Sequence, residues 1–274
     1  MMAAIPRVGS LFIRRIVLIW VIGFWCQLVQ AGTIKIGFFS LAPHAMQEAS
    51  DMPATGAAVD YVGRHVVPEM AKILGTEFDA HFTVLPFSRL LHMLQTGEID
   101  AALTLAKTPE REEIFRYSAE PLTSMQSGLA LRKEFPVYFV DTPESLRILR
   151  IGFTKDGYVS PWMRDSQIPL QLFVGDKNVF VTLLRVLSAH RLDAVYNPTL
   201  ITLKYEALKL GISSQLRFLP LPEPQQGLYT VFRHNILPEW LQAFDLAHQR
   251  VRERLDYATL LSEYLETARE SYAP

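Results

Sequence analysis

A helix-and-strand signature occurs twice in this chain, and the duplication limits the possible folds more than any single motif does. Residues 90–104 (LLHMLQTGEIDAALT) align with residues 183–197 (LLRVLSAHRLDAVYN), matching Leu90 with Leu183, Leu91 with Leu184, Leu94 with Leu187, Asp100 with Asp193 and Ala101 with Ala194. In each copy, leucines at helical spacing run into a short apolar stretch of strand length. An Ile-Gly-Phe triplet at residues 36–38, and again at 151–153, precedes each copy in the same order. Two similarly wired α/β halves follow from this pattern.

With 274 residues, 49% of them hydrophobic and 20% charged, the chain is long enough for two lobes with separate cores. The first residues stand apart. Arg7, Arg14 and Arg15 precede an unbroken apolar run over residues 16–26, and Val29-Gln30-Ala31 places small residues where a signal peptidase reads. Residues 1–31 are therefore expected to be a cleaved secretory signal. The run is shorter than the roughly 20 apolar residues of a membrane span, and an uncleaved anchor is the alternative. Cleavage removes three Arg and no acid, moving the formal net charge from -1 to about -4, which argues against a nucleic-acid partner. The single cysteine, Cys26, lies inside the signal, with the bulky Trp25 before it. Neither a disulfide nor a lipid anchor is expected, and a periplasmic location fits.

Residues 33–39 read as a first strand, and the loop after them makes Ser40 and His44 cleft candidates. Residues 57–74 carry a helical apolar face with Pro68 as a kink or restart and Gly75 as its end. After a strand over residues 78–85, Ser88 is a candidate cap for the helix that Gly97 closes. The strand over residues 99–105 then empties into a polar loop at residues 107–111. In an open α/β sheet ligands bind beyond the carboxyl ends of the strands, which places Thr104 and that loop at a ligand site. Strand character at residues 127–133 and 227–233 marks two crossovers between halves. Residues 238–265 read as one helix packing back on the first lobe, which makes that lobe discontinuous. The expected division is 1–31 signal, 32–128 first lobe, 129–226 second lobe, and 227–274 return crossover with C-terminal helices.

These residues resemble the bacterial extracellular solute-binding proteins of family 3, the periplasmic components of polar amino-acid uptake systems. The resemblance rests on Ile34-Lys35-Ile36-Gly37, on Leu94 to Ala101 with its Gly-Glu-Ile-Asp-Ala, on Thr108-Pro109-Glu110-Arg111 followed by Tyr117-Ser118 and Pro121, and on Leu192-Asp193-Ala194. It implies an α/β, two-lobed type II periplasmic binding fold, each lobe a mostly parallel sheet flanked by helices, joined by two crossover strands and closing on a small ligand by hinge bending. It also implies that Arg111 clamps a ligand carboxylate, a role for which the planar guanidinium is suited, and that Thr104 lines the same pocket. Asn197 stands where many members place a carboxylate for the ligand ammonium, and Ala106 where a small hydroxyl residue often helps. With Arg111, Lys107 and Arg89 nearby, the pocket is expected to favour a carboxylate, a dicarboxylate or an N-blocked amino acid. Tyr158, after Gly157 in a loop, is a candidate ring over the ligand, as are Phe39, Tyr61 and Phe87.

The same fold hosts enzymes such as dehydratases and transglycosylases, so fold alone does not decide function. Acids near the expected cleft are Glu110 and Asp156, with His44 and Lys107 as possible bases. No Gly-x-Ser-x-Gly elbow, phosphate-cradling loop or close-spaced metal-ligand set is present. The expectation is a monomeric binding protein without catalytic residues, metal or cofactor. Its partner is an inner-membrane permease for ABC-type uptake or, alternatively, a membrane sensor.

Overall fold

The computed structural model describes residues 32–49, 51–155, 157–174 and 178–271; the expected signal segment and Asp156 lie outside them. Strands β1 (Gly32–Phe38), β2 (Phe78–Val84), β3 (Ala101–Ala106), β4 (Phe115–Tyr117), β5 (Thr123–Met125) and the late β11 (Gln226–Arg233) form a first sheet in the order β2-β1-β3-β11-β4, with β5 also on β11. Strands β6 (Gly128–Arg132), β7 (Ile151–Thr154), β8 (Leu170–Phe173), β9 (Ala194–Asn197) and β10 (Leu216–Pro220) form a second, in the order β10-β6-β9-β7-β8. Each sheet has a parallel trio, β2-β1-β3 or β8-β7-β9, extended on one side by antiparallel strands. In each, the antiparallel neighbour of the trio is the strand that follows a crossover from the other sheet.

The sequence repeat has a packing cause. A Cβ built on Gly37 would lie 2.5 Å from Leu90 Cδ1 and 2.6 Å from Ile99 Cδ1, and one on Gly152 would press against Leu192 and Leu183. The missing side chains let the helices α3 (Phe87–Thr96) and α6 (Val179–Ser188) lie close on their sheets. Gly97, at φ 81°, ends α3 in the left-handed conformation. Apolar clusters cover both faces of both sheets, so each lobe has its own core.

The helical stretch after the first loop is α1 (Ala57–Asp60), a π-helical segment (Tyr61–Val66) and α2 (Val67–Leu74). Pro68 has no N–H for the carbonyl four residues back, and the wider π winding immediately precedes it. Ser88 does not cap α3; Pro86 holds the cap position and Ser88 lies in the first turn. A short helix α4 (Pro109–Ile114), capped by the Thr108 hydroxyl, replaces the expected loop around Arg111.

The second lobe adds α5 (Pro161–Asp165) and α7 (Leu200–Lys209). The expected single C-terminal helix is two, α8 (Pro238–Arg252) and α9 (Tyr257–Ser271), because Asp256 turns the chain and accepts the Ala258 N–H at 3.1 Å. Helix α8 packs on α2, whereas α9 lies against both α1 and the second-lobe helix α7. Ala42, Met46, Tyr205 and Ala268 join in one cluster at that junction. The two connections between sheets run side by side: Gln126 Nε2 donates to Leu221 O at 3.0 Å, and Leu221 N–H to Ser127 O at 2.9 Å.

Candidate functional site

A cavity of about 870 Å³ opens between the lobes at the carboxyl ends of the parallel strands. Ser40, Thr104 and Arg111 border it from the first lobe, and Tyr158, Asn197 and Thr199 from the second.

Thr104 owes its position to a bulge. Opposite β11 the register shifts between Tyr229 and Val231, which leaves one extra residue on β3. Thr104 takes φ 58°, a conformation that a β-branched side chain rarely adopts. Its hydroxyl donates to Leu103 O at 2.8 Å, so the residue is buried yet still borders the cavity. Strain of this kind concentrates at functional sites.

Arg111 is held ready by its surroundings. Its Nη1 donates to Ala106 O at 3.0 Å, and its guanidinium lies 5.2 Å from the Phe87 ring centre. The Tyr117 hydroxyl donates to the same carbonyl at 3.1 Å, and burial pushes Tyr117 up to about 12, so it remains a protonated donor. One edge of the guanidinium is thus fixed by protein, and the side chain borders the cavity. Glu110, beside it, is exposed; its own backbone N–H and the Thr108 hydroxyl hold its carboxyl below the usual range.

On the opposite wall Asn197 is fully buried at the end of β9. Its Oδ1 accepts the Thr199 N–H at 2.8 Å, which fixes the amide's orientation, and Nδ2 has no partner in the protein. The first turn of α6 and the N-cap of α7, Thr199, also border the cavity, and helix N-termini favour negative charge. Tyr158 packs against a cluster of Leu41, Ala106, Met125 and Leu228, and burial raises its hydroxyl. The acid bordering the cavity among the described residues is Glu48, and Lys209 takes its carboxylate at 2.6 Å.

Three expected site residues lie elsewhere. His44 is 1% exposed and meets the Tyr257 hydroxyl at 2.8 Å through Nδ1, so it ties the first loop to α9 and does not face the cavity. Lys107 turns away: its Nζ is 3.4 Å from Glu112 Oε1 and lies over the rings of Tyr117 and Tyr229. Arg89 is on the exposed face of α3, because Leu90 and Leu94 take the buried one. Tyr61 is likewise core, while Phe39 and Phe87 border the cavity as an edge-to-face pair. Thr199 and Phe180 went unread in the sequence. The strand-end logic that picks out Thr104 also applies to Thr199, two residues after β9. Among the described residues no group of three or more His, Cys, Asp or Glu is placed to hold a metal, and no helix is long and apolar enough to cross a membrane.

Comparison with known proteins agrees with this fold. A sequence model of the family described as bacterial extracellular solute-binding proteins, family 3, matches residues 34–267. The sequence matches none of the curated proteins with which it was compared. Among solved structures, the chain is similar to the amino acid ABC transporter substrate-binding protein AbpA from Streptococcus pneumoniae bound to L-arginine. The identity is 19% and the TM-score 0.68, over 86% of this chain and 96% of that one. A mutant of ArgBP from T. maritima is 18% identical with a TM-score of 0.67, over 86% and 96%. A histidine kinase sensor domain with similarity to periplasmic binding proteins is 15% identical with a TM-score of 0.65, over 89% and 97%. Likeness at these identities speaks for the fold.

Proposed function

Because the chain belongs to the bacterial extracellular solute-binding proteins of family 3 and has their two-lobed type II fold, we propose that it captures a small carboxylate-bearing ligand between its lobes. In this reading the lobes are residues 32–128 with 227–274, and residues 129–226. Residues 1–31 direct export to the periplasm, and the closed monomer delivers its ligand to an inner-membrane permease for ABC-type uptake.

The observation that carries the ligand class is the amide of Asn197. One lone pair of its Oδ1 is taken by the Thr199 N–H, and its buried Nδ2 donor has no partner in the protein. Arg111 on the other wall is also a donor. Arg111 and the Asn197 amide suit carboxylate oxygens, and neither is an anionic partner for an α-ammonium group. An organic acid, or an amino acid whose nitrogen is acylated, fits better than a free amino acid. Thr104, Ser40 and Tyr158 complete the walls.

Isothermal titration of residues 32–274 tests this with alanine, propionate and N-acetylalanine side by side, and with the phenylalanine, 3-phenylpropionate and N-acetylphenylalanine set. At least one ligand without a free ammonium is expected to bind more tightly than its parent amino acid. Arg111→Ala is expected to weaken it by about 10- to 100-fold, the worth of a charge-assisted pair. Micromolar binding of the free amino acids alone would reject the reading. Signalling to a membrane sensor is the alternative use of the same closure, in keeping with the fold of the sensor domain above. Among the described residues a catalytic role has less support, since Glu48 is engaged in an ion pair, Glu110 bonds its own backbone N–H and the Thr108 hydroxyl, and His44 and Lys107 face away.

A further inference from the structure

The cavity does not stop at the carboxylate-binding walls. Residues 81–88 border it without a gap, from His81 through β2 to Ser88. Side chains alternate across a strand, so an unbroken run along β2 means that the backbone edge itself is part of the wall. Among the described residues that edge is free: strand β2 ends the first sheet and pairs only with β1. The Leu85 N–H donates to Phe38 O and Glu77 O accepts the Gly32 N–H, so the odd-numbered residues turn their backbone groups toward β1. In a parallel ladder the alternate residues turn theirs the other way, which aims the N–H and C=O of Phe82 and Val84 at the cavity.

Free backbone groups on two residues about 6.6 Å apart match the repeat of an extended peptide. The edge leads to the carboxylate site: three residues after Val84, the Phe87 ring lies 5.2 Å from the Arg111 guanidinium. Across the cavity, Val174, Val179 and Phe180 of the second lobe give an apolar wall. The volume, about 870 Å³, is near the upper end of the usual range for ligand cavities.

We infer that the ligand is a short peptide whose C-terminal carboxylate meets Arg111 and whose backbone adds to the free edge of β2. The inference rests on the carboxylate reading above and refines it. A peptide's C-terminal residue is an N-acylated amino acid, which suits the neutral Asn197. With its carboxylate at the Phe87 end, the peptide runs parallel to β2 and forms hydrogen bonds with Phe82 and Val84, as in other strand additions.

The test is titration of residues 32–274 with Ala-Ala-Ala, Ala-Ala-Phe and Ala-Ala-Arg, each against the N-acetyl derivative of its own C-terminal residue. At least one tripeptide is expected to bind tenfold or more tightly than that derivative. N-methylation of its internal amides is expected to cost about tenfold, and C-terminal amidation to cost at least as much. In Val84→Pro, which removes one edge donor from a strand end that tolerates proline, the unmethylated tripeptide is expected to weaken and N-methylation to cost less than in the parent. A melting curve confirms that the variant folds. If no tripeptide exceeds its N-acetyl amino acid, or if N-methylation leaves affinity unchanged, the peptide inference is wrong while the carboxylate reading stands. If the amidated peptides bind as well as the free acids, the carboxylate reading itself has failed.

Discussion

Asp100 and Asp193 make the same hydrogen bond in opposite lobes: Asp100 Oδ2 accepts the Lys35 N–H at 3.0 Å, and Asp193 Oδ2 accepts the Arg150 N–H at 2.9 Å. Each backbone N–H returns the bond, to Lys35 O at 2.8 Å and to Arg150 O at 2.9 Å. Each carboxylate also holds an arginine, Arg233 in the first lobe and Arg150 in the second. The pair fixes where the third strand of each parallel trio enters beside the first.

Arg150 keeps the Asp193 carboxyl below the usual carboxylate range, so its bonds stabilise the fold above the unfolded-state value near 4 and are lost as pH falls through the lower folded value. Asp193→Ala is expected to cost about 1–3 kcal/mol at pH 7, read as a lower urea midpoint. The gap from wild type should narrow as the solution is acidified below pH 4. A variant equal to wild type at pH 7 would show that the bond contributes nothing net.

Gly37 and Gly152 are the repeat's second device. An alanine at either position would push into Leu90 and Ile99, or into Leu183 and Leu192, inside a filled core. Overpacking of this sort costs about 1–3 kcal/mol. Gly37→Ala and Gly152→Ala should both lower the melting temperature, and Gly37→Ala combined with Leu90→Ala should recover part of the loss expected from adding the two single effects. Strict additivity would place the cause elsewhere.

What the sequence made legible was local. Leu90, Leu94 and Gly97 announce a helix and its end, and the Ile-Gly-Phe triplets announce strands, because each signal lies within a few residues of the element it shapes. The features that escaped are set by distant partners. His44 lies in a loop beyond a strand, as expected, yet Tyr257, 213 positions away, draws its ring into the core. The bulge that aims Thr104 exists only because β3 pairs with β11, more than a hundred residues later. Lys107 follows Ala106 into the expected loop, but Glu112, Tyr117 and Tyr229 decide where its charge goes. Asp256 before Tyr257 has the chemistry of a cap, but the apolar pattern runs on through it and masks the break between the two helices.

Burial alone pushes His44 down to about 4, and burial is the main reason that His248 also falls to about 4. Both are neutral in the folded protein at pH 6, whereas an unfolded histidine takes up a proton near 6.5. Folded-state values below the unfolded one give stability that is complete above about pH 6.5 and is lost as pH falls toward 4. The melting temperature should therefore drop over that window, before most carboxylates titrate. His44→Gln, which keeps a polar group for Tyr257 but does not titrate, should flatten the slope between pH 6.5 and 4.5. A slope identical to wild type would remove His44 from the account.

Asn197→Asp is the sharpest probe of ligand class. The new carboxylate can still accept the Thr199 N–H through one oxygen, so the loop after β9 keeps its bond. The other oxygen replaces the unpartnered Nδ2 donor in a fully buried place. A carboxylate there repels a ligand carboxylate and attracts an ammonium group. Binding of propionate, N-acetylalanine or a peptide to the variant should weaken by tenfold or more at pH 7, whereas a free α-amino acid should weaken less or bind more tightly. If the variant lost amino acids and anions alike with its melting temperature unchanged, Asn197 would be a shape determinant of the cleft, and the donor argument built on its amide would fall.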